Sequence, residues 1–137
     1  MTVRKAVQFS VCVEDKPGKL AEVTKALCES GINLTALAGW TEGEGKAVIA
    51  CIPEDPDKVR ALGVPGVQEK EVIVVEGDDK LGVGYAIAQK LAAADVNLKV
   101  CLIQAAGGKY QAVLSTCAGC IDKAVSALQS CGCCCGS

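Results

Sequence analysis

The chain has no histidine, and that absence removes more chemistry than any other feature of its 137 residues. Imidazole is the usual general base near neutral pH, so Ser-His and Cys-His dyads and histidine metal sites are excluded. Aromatic side chains are scarce: Phe9, Trp40, Tyr85 and Tyr110 are the whole set. With few rings and a formal net charge of -2 lacking any basic stripe, the chain offers neither a base-stacking platform nor a phosphate-tracking surface. Nucleic acid is therefore not expected as a partner. Long apolar runs are missing as well; Val72 to Val75 falls far short of the ~20 residues a membrane span needs, so no membrane partner is expected. The opening Met1-Thr2-Val3-Arg4-Lys5 leads into an alternating pattern and not into an apolar leader with a cleavage site, which points to the cytoplasm. No paired carboxylates with a suitable base can be argued from the pattern, so an enzyme is not expected.

What the chain does have is a repeat. Asp15-Lys16-Pro17-Gly18-Lys19-Leu20, closing in Gly31-Ile32-Asn33-Leu34, returns 64 residues later as Asp79-Lys80-Leu81-Gly82-Val83-Gly84, closing in Asp95-Val96-Asn97-Leu98. That period is too long for a solenoid turn and suits a βαββαβ module used twice. Val7, Phe9, Val11 and Val13 alternate with polar positions, as in a strand with one face on a core. The Pro17-Gly18 turn ends it, and Leu20, Val23 and Leu27 mark a helical stripe that stops near Gly31. Strands over Ile32 to Trp40 and Lys46 to Ile52 follow, then a short helix starting at Pro53 to Pro56 and running through Leu62.

Val67 to Glu76 is long enough to serve as the last strand of one repeat and the first of the next. The second repeat reads as a helix over Val83 to Ala94, strands over Val96 to Ala105 and Tyr110 to Thr116, and a helix with Ile121, Val125 and Leu128 inward. Its last strand is missing or replaced by the Cys-rich tail. The expected fold class is α+β, with antiparallel sheets in two ferredoxin-like repeats at 1–70 and 71–130, and a tail at 131–137.

The strand, the Asp-Lys-Pro-Gly turn, the leucine-bearing helix and the Gly-Ile-Asn-Leu strand resemble the ACT domain over residues 7 to about 130, in two copies. The second copy departs from the pattern, with Leu81 where the turn proline would stand. ACT domains are ferredoxin-like βαββαβ modules that usually bind a free amino acid and regulate an enzyme, so the resemblance implies a regulatory protein with a regulated enzyme as partner. Carried over position by position, the implied contacts are Asp15, Pro17, Gly18, Leu20 and Asn33 in the first copy, and Asp79, Leu81, Gly82, Gly84 and Asn97 in the second. The residue chemistry suits this. Unpaired amides and the dipole at a helix start receive a carboxylate, glycine leaves the approach open, and asparagine offers both a donor and an acceptor. Turn glycines and capping asparagines would produce the same residues without any ligand. Trp40 reads as a core or interface residue in preference to a ligand contact. Exposed sheet edges predict a homodimer.

Ten cysteines in a chain without a visible secretion signal are expected to stay reduced. Cys12, Cys28, Cys51 and Cys101 read as small packing residues. Cys117 and Cys120 have metal-ligand or redox spacing at a helix start, and Cys131, Cys133, Cys134 and Cys135 lie one helix later. An all-thiolate site made from these six would suit zinc, cuprous copper or an iron-sulfur cluster. No cofactor follows with certainty, and this thiol-dependent function is the alternative to the amino-acid sensor.

Overall fold

The computed structural model describes residues 1–130. Ten elements alternate as β1 (Thr2–Glu14), α1 (Lys19–Glu29), β2 (Leu34–Gly43), β3 (Lys46–Pro53), α2 (Pro56–Ala61), β4 (Gln68–Asp78), α3 (Val83–Ala93), β5 (Leu98–Ala106), β6 (Lys109–Thr116) and α4 (Ile121–Gln129). The chain divides into two compact units, Val7–Lys70 and Met1–Ala6 with Glu71 onward.

In the first unit β3 runs antiparallel between β2 and β1, with Phe9 opposite Cys51 and Val13 opposite Ala47. Phe9, Leu27, Ile32, Cys51 and Val59 form its core. Helix α2 is short, six residues started by Pro56 and capped by the Asp55 carboxylate, which accepts the Asp57 N–H at 3.1 Å.

In the second unit β4 lies beside β6, with β5 outermost, all antiparallel. Its core is larger: Ile73, Val75, Ile87, Leu91, Leu114, Ala124 and Leu128 are closed from solvent to within 1%. The nine-residue α4 presents Ala124 and Leu128 to that core, one turn of contact more than α2 provides through Val59.

The last strand that the second repeat lacked in sequence is supplied from the other end of the chain. The start of β1, Thr2–Ala6, lies in the second unit next to β4, Val3 packs on its core, Arg4 pairs with Glu76 at 3.9 Å and Lys5 pairs with Asp122. Residues 1–6, assigned from sequence to the first repeat, thus fold with the second, because β1 is a strand of 13 residues and only its later part fits the first unit. The boundary between the two units falls inside β4, after Lys70.

Candidate functional site

Both turns start their helices in the same manner. Gly18 caps α1 at φ +92° and Gly82 caps α3 at φ +88°, a left-handed conformation that makes glycine the favoured residue. No side chain caps either helix. In the first turn the Lys19 N–H donates to the Lys16 carbonyl at 3.3 Å and the Glu22 N–H to the Gly18 carbonyl at 2.9 Å. The Leu20 and Ala21 amides find no backbone partner among the described residues. These are the orphan donors of a helix start, reinforced by its dipole. Glu14 sits beside them, held by Lys16 at 3.0 Å and Lys19 at 3.9 Å.

Around the first turn lies a cavity of about 280 Å³, walled by Asp15, Lys16, Lys19 and Leu20 of the turn, Gly39, Trp40 and Thr41 of β2, and Val13, Ala47 and Ile49. Trp40 is 44% exposed here. That exposure rules out a core position and leaves Trp40 lining the cavity from edge strand β2.

The second turn has different surroundings. The registers show which residues correspond: the Val13–Ala47 pair of the first unit becomes Gly77–Tyr110, and Gly39–Ile49 becomes Ile103–Ala112. The large residues have changed strands. Tyr110, only 5% exposed, covers Gly77 so closely that a Cβ there would stand 2.9 Å from its ring. Ile103 approaches Gly84, whose added Cβ would lie 3.7 Å from it. Burial pushes the Tyr110 phenol above its ordinary range, in keeping with a ring that belongs to the core. Leu81 projects fully into solvent, and Asp79 donates its N–H to the Gly108 carbonyl at 2.9 Å.

The asparagines are not gathered at the turns. Asn33 follows α1, at the opposite end from Gly18, and an 11-residue helix spans about 16 Å. Its side-chain amide donates to the Glu54 carboxylate at 3.0 Å and its main-chain carbonyl accepts from the Glu54 N–H at 2.9 Å, tying the start of β2 to the end of β3. Asn97 stands likewise at the far end of α3 from Gly82.

Cys117 and Cys120 flank the turn into α4, while Cys131, Cys133, Cys134 and Cys135 lie outside the described residues. Among the described residues no three Cys, Asp or Glu side chains come together as a metal site. No helix among them is long and apolar enough to cross a membrane.

Known structures share this fold. A protein of Bacteroides thetaiotaomicron superposes with a TM-score of 0.80 at 26% identity, over 93% of this chain and 88% of that one. The ligand-free regulatory subunit of aspartate kinase from Thermus thermophilus superposes at 0.64 with 18% identity, over 92% and 93%. A structure of aspartokinase alpha and beta subunits gives 0.61 at 16% identity, over 93% and 95%. No family model matches the chain, and neither does any curated protein. The fold is α+β and ACT-like, the arrangement found in regulatory subunits of aspartate kinase.

Proposed function

We propose that the chain is a non-catalytic regulatory protein whose first unit binds a free amino acid or a similar small metabolite at the Asp15–Leu20 turn. The observation that carries this reading is the pairing of uncapped helix-start amides with an adjoining cavity of about 280 Å³. The ligand carboxylate would meet the amides after Gly18. Its side chain would lie against Leu20 and Trp40, over the space left by Gly39 and Ala47. Asp15 and Pro17 shape the turn.

The second turn, Asp79 to Gly84, keeps the backbone geometry, but Tyr110 and Ile103 occupy its surroundings, so binding of one ligand per chain is the expected stoichiometry. Asn33 and Asn97 lie a helix length from the turn of their own unit; Asn33 of a second copy could complete the first site. The edge strands favour such a copy, since Leu37 and Trp40 on β2 and Val100 and Leu102 on β5 are exposed apolar residues. A homodimer acting in the cytoplasm on a partner enzyme fits this arrangement.

Calorimetry against the twenty amino acids tests the proposal. One of them should bind, with Trp40, the sole tryptophan, reporting the event by a change in fluorescence. A flat response to all twenty, with unchanged Trp40 emission, would remove the amino-acid reading.

A further inference from the structure

Cys117, Ala118, Gly119 and Cys120 make one tight turn between β6 and α4. The Cys120 N–H donates to the Cys117 carbonyl at 3.1 Å, and Gly119, at φ +84°, supplies the left-handed third position that such a turn needs. This closure brings the two side chains together, with Sγ 2.8 Å from Sγ and both residues half-buried. A disulfide bond measures about 2.05 Å, so rotation of two thiol side chains by less than about 1 Å would join them. Cys12, Cys28 and Cys101 are exposed elsewhere and Cys51 is buried in the first unit. Among the described residues, the geometry therefore belongs to this pair and is not general to the cysteines.

We propose that Cys117 and Cys120 form a reversible dithiol–disulfide couple that exchanges with low-molecular-weight disulfides such as oxidised glutathione. In the first step one protein thiolate attacks a sulfur of the small disulfide, forming a mixed disulfide and expelling one small thiolate, which takes up a proton. The other protein thiol then loses its proton and attacks the protein-side sulfur, forming the Cys117–Cys120 bond and releasing the second small thiol. Two protein thiols are oxidised and one small disulfide is reduced to two thiols, so atoms and electrons balance.

The hydrogen bond to Cys117, assisted by burial, holds the Cys120 thiol above its ordinary range, with Lys123 opposing. Closure would staple the end of β6 to the root of α4, the helix that brings Ala124 and Leu128 to the core.

Peptide chemistry separates this pair from every other cysteine. Trypsin releases residues 110–123 with Cys117 and Cys120 alone, and residues 100–109 with Cys101 alone. The full chain is equilibrated in a reduced and oxidised glutathione buffer, quenched in acid, alkylated and digested. The 110–123 peptide should appear lighter by two hydrogens and refractory to alkylation. Its oxidised-to-reduced ratio should exceed that of the Cys101 peptide by about tenfold or more, because the second thiol is held in place and need not be recruited from solution. Cys117→Ser and Cys120→Ser should each convert the survivor into a glutathione adduct. The proposal is overturned if the 110–123 peptide stays doubly alkylated while Cys101 exchanges, carries glutathione on both sulfurs, or is cross-linked to the 131–137 segment. The wild-type measurement decides the matter even if a variant fails to fold.

Discussion

Replacing Gly77 with alanine places a methyl group 2.9 Å from Cε1 of Tyr110, closer than real Cβ contacts come, and 3.2 Å from its hydroxyl, which is also tight. Gly77 is not in the left-handed region, so the substitution adds no backbone strain and the effect is purely one of space. The ring is 5% exposed within the second core, where overpacking costs about 1–3 kcal/mol. Tyr110→Ala should cost about 3–5 kcal/mol through the cavity it leaves. In the double variant the methyl enters vacated space, and alanine even stiffens the unfolded chain, so the Gly77→Ala step should become neutral or stabilising by about 0.4–1 kcal/mol.

The cycle thus yields a coupling of about 1–3 kcal/mol, measured by urea unfolding at constant m. Additive effects, or a wild-type background that tolerates Gly77→Ala without loss, would refute the assignment of Tyr110 as the filler of the second turn. The double variant also carries a functional readout, for opening that space should move ligand stoichiometry above one per chain if the second amides are competent.

Further outcomes follow from the same geometry. Gly18→Ala forces a side chain into φ +92° and should cost about 1–2 kcal/mol while weakening ligand binding, seen by thermal melts and calorimetry. Leu128→Ala, at 1% exposure, should cost about 2–5 kcal/mol, and Leu27→Ala, at 6% in the smaller core, should fall toward the lower end of that range in denaturant titrations. Because burial raises the Tyr110 pKa above its unfolded value of 10.0, its contribution is complete below pH 10 and is lost as pH climbs through the folded value. Cys51, raised likewise by burial, adds a decline of its own, so Tyr110→Phe should flatten only part of the alkaline fall in stability.

Much of this architecture is written in local patterns. The alternation from Val7 to Val13, the Pro17-Gly18 break and the stripe of Leu20, Val23 and Leu27 each depend on neighbours a few residues away, and they emerge as β1, the turn and α1. Thr2–Ala6 shows no such signature because its place is set by β4 of its own unit, more than sixty residues further along the chain. Asn33 looks close to the turn in a motif, yet α1 carries it a helix length off. The difference between the turns was present in the letters Ala47 and Tyr110. It could not be aligned by eye, because the second hairpin is shorter and shifts the offset from 64 residues to 63, as the pairing of Val13 with Ala47 and of Gly77 with Tyr110 shows.

The strand that residues 1–6 lend to the second unit also orders events in time. Lys5 and its partner Asp122 are 117 positions apart, so the ribosome makes one edge of that unit first and the rest of it last. Until then Val3 has no core to enter, and a newly made first half must hold its leading residues free while the second is still emerging. Trimming those few residues would therefore be felt most strongly at the opposite end of the sequence.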